Sequence, residues 1–497
     1  MVRPRSKRHR GSLSSLCQRG AAGFFRLSPS DQTFKQVVRR AGLSISVVKI
    51  SELTYTRRID AECYQPVFLE NIEFLKKKSK YSAVELGSLV TSLTGGATPL
   101  GADYPEDGVP FLRVQNIMQG YLDMSDVVFI SSDVHDGELK RSQLRSGDVL
   151  LTITGMSYGK AAYIPSNFGN ANINQHSVRM ALKPDVLPEY LAMFLNSRFG
   201  KLQSDRKVTG DTRPALDYEE IRTMLIPVPP HSKQEIVQRK LHQAEKQRLL
   251  SLNLYSDAEN LLTSELSLKN FELPNQDIAT LNLSDVLNAG RVDAEYFHPQ
   301  KAYTKEWLSK FPGKAVVDYF VSVRDIYNPP NRATGNSVLN FDLTHALNYF
   351  LDDDGEVVAE NEIGSLKKHL MKNDIVVSRL RSYLKEISIV EVPEGTTAVG
   401  SSEFIVLRYV SKKLFPEALL VYLRSAPVQT ILKWSQDGSN HPRFQENELL
   451  AIKVPDKVLK IQADIRKMIQ EGIKAHREAK RLLGEAKAEV ERLIEGK

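Results

Sequence analysis

The sequence predicts a mixed α/β (α+β) protein: two similar domains of curled sheets and small helices, separated by two long antiparallel helices forming a coiled-coil-like spacer. Three observations carry this. Arg58-Ile59-Asp60-Ala61-Glu62 returns as Arg291-Val292-Asp293-Ala294-Glu295, 233 residues later. From Pro188 to Gln234 a second, gapless correspondence runs at an offset of 228. Pro188, Glu189, Leu191, Leu195, Ser197, Gly210, Pro214, Glu220, Pro227 and Gln234 all recur in it, ending at Gln462. Each copy then closes on a long stretch of helical period. A repeat this long is a duplicated domain, since solenoid units run only about 20–50 residues.

The elements follow in order. Residues 1–44 are Arg- and Ser-rich without sustained periodicity, and the plain reading is a disordered extension. An organelle transit peptide or a nucleic-acid-binding arm are the other readings. Ile45–Leu53 has the pattern of a first strand. The first domain spans 45–230, with strands expected at Val109–Val114, Val127–Ile130, Gly147–Thr154 and Ser177–Leu182 and a helix at Glu189–Leu202. Pro227-Val228-Pro229-Pro230 is a rigid stop, after which 231–273 holds neither proline nor glycine and carries an apolar stripe of helical period. The second domain, 274–456, repeats the strands at Ser337–Phe341, Asn373–Ser378 and Phe404–Tyr409. Its helix at Glu417–Trp434 is broken, or started, at Pro427. Residues 457–497 form the second long helix, weakened by Gly472 and Gly484. About 33 residues of helix span roughly 50 Å, against about 34 Å for one turn of B-DNA. The helix pair thus suits a fixed spacing between two sites.

Composition narrows the function. Hydrophobic residues make up 41% and charged residues 26%, as in an ordinary soluble protein. No apolar run is long enough to span a membrane. Cys17 and Cys63 lack metal-ligand spacing, and a reducing cytoplasm is the natural compartment. The formal charge of +7 is misleading: residues 1–45 hold ten Lys/Arg against Asp31 alone, which leaves −2 for the rest. Any nucleic-acid site is therefore a local basic patch.

Gly95-Gly96-Ala97-Thr98-Pro99, Val109-Pro110-Phe111-Leu112-Arg113-Val114-Gln115-Asn116-Ile117, Gly147-Asp148-Val149, Gly155 with Gly159-Lys160, Asn174-Gln175, and Ile226-Pro227-Val228-Pro229-Pro230 with Gln234-Glu235-Ile236 follow one another in the first copy. In this order, with the duplication and the two long helices, the chain resembles the specificity subunits of type I restriction–modification systems over essentially all of 45–497. The resemblance implies two target-recognition domains, each reading one half of a split site in double-stranded DNA. It implies partners: modification subunits, two of them on the pseudo-twofold pattern, which are adenine methyltransferases using S-adenosylmethionine, and restriction subunits driven by ATP with Mg2+. This chain itself is then non-catalytic, with no cofactor. The second copy departs from the pattern: Asn328-Pro329-Pro330-Asn331 stands in the region of the glycine turn, and Val454-Pro455-Asp456 lacks the double proline.

Candidate site residues come from the chemistry of DNA contact. Tyr158 and Lys160, paired with Tyr383 and Lys385, suit contacts to backbone phosphates, which position a protein without specifying sequence. Arg reads guanine, and Asn or Gln reads adenine. On that basis Gln115, Asn116, Asn174, Gln175, His176 and Arg213 are the base-reading candidates in the first domain, and Arg332, Arg379, Arg381, Asn440, His441 and Arg443 in the second. For each, an ordinary solvated surface residue is the competing reading. Gly155–Ala161 is one residue short of a phosphate loop, and Ala161 stands where a magnesium-binding hydroxyl belongs. The repeated Arg-Ile/Val-Asp-Ala-Glu box is explained more simply by capping than by paired catalytic carboxylates. Two other functions compete: a stand-alone DNA adenine methyltransferase or nuclease using the Asn328–Asn331 loop, and a helical assembly protein that makes no DNA contact.

Overall fold

The computed structural model describes residues 60–101, 104–210, 212–330, 335–353, 355–410 and 413–497. The strand expected at Ile45–Leu53 and the basic stretch 1–44 lie outside them. The chain divides into two compact units: residues up to His242 together with Leu482–Lys497, and Gln243–Arg481.

Both units are built from mixed sheets and short helices on one plan. In the first, Val90–Gly95, Ser177–Leu182, Val149–Thr152 and Ala161–Tyr163 form an antiparallel sheet in that order. A smaller sheet orders Val128–Ile130, Val109–Leu112 and Asn172–Ile173, the last two parallel. The second unit repeats the first sheet as Phe320–Val323, Phe404–Tyr409, Ile375–Ser378 and Ile387–Val390, and adds Phe350–Leu351 at its edge. It repeats the smaller sheet as Glu356–Ala359, Ser337–Phe341 and Ala398–Gly400, extended by Lys367–Leu370 and Ile326–Tyr327. A closing pair also recurs: Ala83–Glu85 with Leu225–Pro227, then Gly313–Ala315 with Lys453–Pro455.

The central strands read as continuous apolar runs, Val-Leu-Leu and Ile-Val-Val, because both of their faces are covered. The turn entering each strand needs a left-handed residue. Gly147 supplies it at φ 82 and Asn373 at φ 68, the residue types that reach this region most easily. The aspartate that follows is buried. Asp148 accepts the Arg145 N–H at 2.6 Å and pairs with Arg179 at 2.5 Å; Asp374 accepts the Met371 N–H at 2.8 Å and is gripped by Arg408 at 2.8 and 2.7 Å.

The helix expected at Glu189–Leu202 is two helices, Pro188–Asn196 and Arg198–Lys207. Ser197 is extended and caps the second with its hydroxyl, so the break comes from a competing side-chain bond that helical periodicity does not reveal. A break recurs at the equivalent Ser425, between Pro416–Leu423 and Ala426–Lys433, but there no side chain caps the new helix and Pro427 sits in its first turn.

The long helices run His231–Glu265 and Asp456–Glu495. The first stops at Glu265, short of residue 273, because Ser267 turns left-handed at φ 55 and a single 3-10 turn follows. Each unit contains part of both. In the first, Val237 and Leu241 share a core with Ala486 and Val490, and Lys240 meets Glu485 at 2.7 Å. In the second, Ala258, Leu262 and Leu266 share a core with Ile461, Ile465 and Ile469; Lys457 donates to the Glu265 carbonyl at 2.8 Å, so there the helices run antiparallel. A repeated glutamine fastens each domain to its helix. Gln234 accepts the Leu187 N–H and donates to Asp185; Gln462 accepts the Phe415 N–H and donates to Lys413.

The Asp-Ala-Glu boxes are caps. Asp60 accepts the Cys63 N–H and Asp293 the Tyr296 N–H. Arg291 clamps Asp293 and reaches the Ser435 and Gln436 carbonyls, which fixes the base of the following loop. Buried Glu220 and its half-buried equivalent Glu448 are served by cations from different elements: Lys207 at 2.7 Å in one unit and Lys301 at 3.3 Å in the other. Keeping the acid while moving its partner preserves neutrality where an unpaired charge is costly.

Candidate nucleic-acid interface

Three loops meet at one end of the main sheet in each unit, and the same backbone bonds tie them. In the first, Ile153 N–H donates to His176 O (2.9 Å), Gly155 N–H to Pro214 O (3.0 Å) and Leu216 N–H to Ile153 O (2.8 Å), while Thr209 and Ala215 exchange bonds. In the second, Arg379 N–H donates to Glu403 O (3.2 Å), Arg381 N–H to Pro442 O (3.0 Å) and Phe444 N–H to Arg379 O (3.1 Å), while Asp437 and Arg443 exchange bonds. The two frames coincide bond for bond. They make Gly155 equivalent to Arg381, His176 to Glu403, and Ala215 to Arg443.

This register corrects the loop pairing read from sequence. Tyr158 N–H bonds back to Gly155 O as Leu384 N–H does to Arg381 O, so Tyr158 matches Leu384, Gly159 matches Lys385 and Lys160 matches Glu386. The glycine positions survive as conformations. Gly155 and Gly159 have φ 76 and 83; Arg381 and Lys385 hold the same left-handed region at φ 49 and 53. A long side chain in that region costs about 1–2 kcal/mol relative to glycine.

The side chains on the shared frame differ in kind. In the first unit Thr154 and the His176 ring are 2.7 Å apart, and burial, followed by the charge of Arg213, pushes the histidine pKa down. Arg213 is exposed, and exposed Gln175 bonds to Thr98. Gly95 and Gly96 explain the double glycine, because a β-carbon there would run into the Tyr218 hydroxyl and the Asn174 carbonyl. In the second unit Glu403 takes a hydrogen bond from Arg379 Nε at 2.8 Å and two from Arg443, at 3.0 and 2.8 Å. Those bonds, Arg443 first, hold the Glu403 carboxyl at about 2 against the upward push of burial. Asn440, His441, Tyr383 and Lys385, on the loops of this frame, are exposed, and the His441 carbonyl accepts from Arg443 at 3.0 Å.

Other candidates are committed elsewhere. Asn116 is buried, with its amide accepting from Arg113 N–H and donating to Asp123 O. Gln115 donates to Asp126 at 2.8 Å. Asn174 is buried and caps the His176 N–H. Tyr158 donates to Asp205 at 2.9 Å beneath Lys201, and burial with that acid raises its pKa to about 12. Lys160 is half-buried. Arg332 and Asn331 lie outside the described residues. Glu403 was missed from sequence, since an acid is an unlikely DNA reader; its partners are 24 and 40 residues away. Among the described residues no cluster of His, Cys, Asp and Glu could hold a metal, and no helix is long and apolar enough to cross a membrane.

One family model and several known proteins are similar to parts of this chain. The type I restriction modification DNA specificity domain matches residues 78–256. The EcoBI type I restriction enzyme specificity subunit of Escherichia coli is 24% identical over 217 residues, which is 42% of either chain. The EcoKI specificity subunit of Escherichia coli K12 is 25% identical over 182 residues, covering 34% of this chain and 37% of that one. The chain thus spans under half the length of these relatives. The crystal structure of an S subunit from M. genitalium covers 84% of this chain and 97% of its own at 13% identity and a TM-score of 0.42, a likeness too loose to bear on detail. Over residues 78–256 the chain is thus similar to the type I restriction modification DNA specificity domain, and over stretches of like length to the specificity subunits of two type I restriction enzymes.

Proposed function

We propose that each unit uses its three-loop end to read one short stretch of double-stranded DNA, so that the chain recognises a split, asymmetric site. One observation carries this: two frames matching bond for bond present different side chains at equivalent positions, His176 against Glu403, Gly155 against Arg381 and Ala215 against Arg443. Surfaces that diverge on a preserved scaffold are what two different half-sites require. On this reading the chain is a non-catalytic cytoplasmic subunit. Two adenine-methylating modification subunits using S-adenosylmethionine, and restriction subunits using ATP and Mg2+, supply the chemistry. Neither the matched domain nor the named relatives favour the stand-alone methyltransferase or nuclease reading.

Footprinting of the purified full chain on sequences selected from a random duplex pool tests it. Two separated protected blocks with unrelated sequences are expected, and a single block or unselective binding overturns it. A variant gives a second check. Arg381→Gly relieves a left-handed arginine and is expected to raise unfolding free energy by roughly 1 kcal/mol. It is also expected to weaken DNA binding, so urea melts and DNA titrations should move in opposite directions.

A further inference from the structure

We propose that Glu403 is a positioning residue that sets Arg379, with Arg443 behind it, as a rigid fork for a guanine in the half-site read by the second unit. The inference rests on the DNA reading above and adds which base is read and by what.

The geometry separates base reading from phosphate binding. Glu403 engages Arg379 only through Nε, at 2.8 Å, and the two terminal nitrogens of Arg379 have no hydrogen-bond partner among the described residues. Those terminal nitrogens form the planar pair of donors that matches guanine O6 and N7. Arg443 holds both oxygens of the carboxylate, Oε2 through Nε (shared with Arg379) and Oε1 through Nη2, with its Nη1 tied to the His441 carbonyl. It fixes Glu403 so that Glu403 can fix Arg379. Both arginine side chains remain about two-fifths exposed, at 42% and 40%. A site meant only to attract phosphate gains nothing from a carboxylate here, since it cancels one of two positive charges. What the acid provides is orientation, with the rotamer freedom of a long side chain lost in advance. The first unit has His176 at the equivalent position and Ala215 opposite, so the fork belongs to one half-site only.

The test is base selection by the full-length chain from duplexes randomised across both half-sites, with thermal melts confirming folding. Wild type should select a guanine at one position of the second block. Arg379→Lys keeps the charge and loses the fork. It should lose roughly ten- to hundredfold of that guanine preference and leave the first block unchanged. Glu403→Gln should relax the same position while raising sequence-independent affinity, because a negative charge is removed. If Arg379→Lys retains the wild-type selection and Arg379→Ala only lowers affinity for all sequences with a shallower salt dependence, the arginine is a phosphate contact and the proposal fails while the DNA reading stands. If wild type selects no second block, the DNA reading itself fails and this proposal with it.

Discussion

Asp374→Ala is expected to lower the unfolding free energy by about 1–3 kcal/mol, since it removes a buried carboxylate that holds three hydrogen bonds while Arg408 stays about a quarter exposed. Asp374 is 1% exposed; it holds both Nε and Nη2 of Arg408 and also closes the turn through Met371 N–H. Truncation strips Arg408 of its counter-charge in the main sheet and opens the left-handed turn at Asn373. Urea melts measure the loss. Asp374→Asn keeps the turn bond and should lose less. Asp374→Leu combined with Arg408→Met should recover much of the deficit, because replacing both partners removes the stranded charge. Equal damage from the single and double changes would mean that the turn, not the ion pair, dominates. Asp148 with Arg179 repeats the arrangement in the other unit, and Asp148→Ala should behave likewise.

The two glycines of the C-terminal long helix are expected to respond with opposite sign. A β-carbon on Gly472 would lie 2.6 Å from Cε1 of Tyr255. That ring cannot withdraw easily, being 6% exposed and stacked on Tyr349 at 4.3 Å, with the Tyr349 hydroxyl donating to Glu259 at 2.6 Å. Gly472→Val should cost about 1–3 kcal/mol through overpacking. Gly484 has nothing within 4 Å of its would-be β-carbon. Gly484→Ala should therefore stabilise by up to about 1 kcal/mol through helix propensity alone. Melts of the two variants decide the matter, and stabilisation by Gly472→Ala as large as that at Gly484 would refute the close approach to Tyr255. The sequence makes both glycines look like equal helix weaknesses. Only one of them makes room for a neighbour.

Much of the architecture was legible because it rests on local rules. The apolar strands Ser177–Leu182, Ser337–Phe341 and Phe404–Tyr409 fall where alternation and turn residues put them. Gln234 and Gln462 recur because the same backbone groups need the same amide. The loops were less legible. Matching tyrosine to tyrosine and lysine to lysine paired Tyr158 with Tyr383 and Lys160 with Lys385, one residue away from the backbone register. The misleading step was chemical likeness: a left-handed position filled by glycine in one copy and by arginine or lysine in the other shares a conformation and no composition.

From the sequence alone came the duplication, the mixed α/β class, the start of the first long helix, and the expectation that arginine, asparagine and glutamine near the sheet ends matter. Periodicity, capping and repeated turn residues act over a few positions and leave their mark in the order of amino acids. The tertiary structure alone decided that Asn116 and Asn174 are spent inside the protein, that the helices break at Ser197 and Ser425, and that Glu403 binds two distant arginines. Those outcomes depend on which loops the sheets bring within hydrogen-bonding reach, at separations where no local pattern constrains the partner.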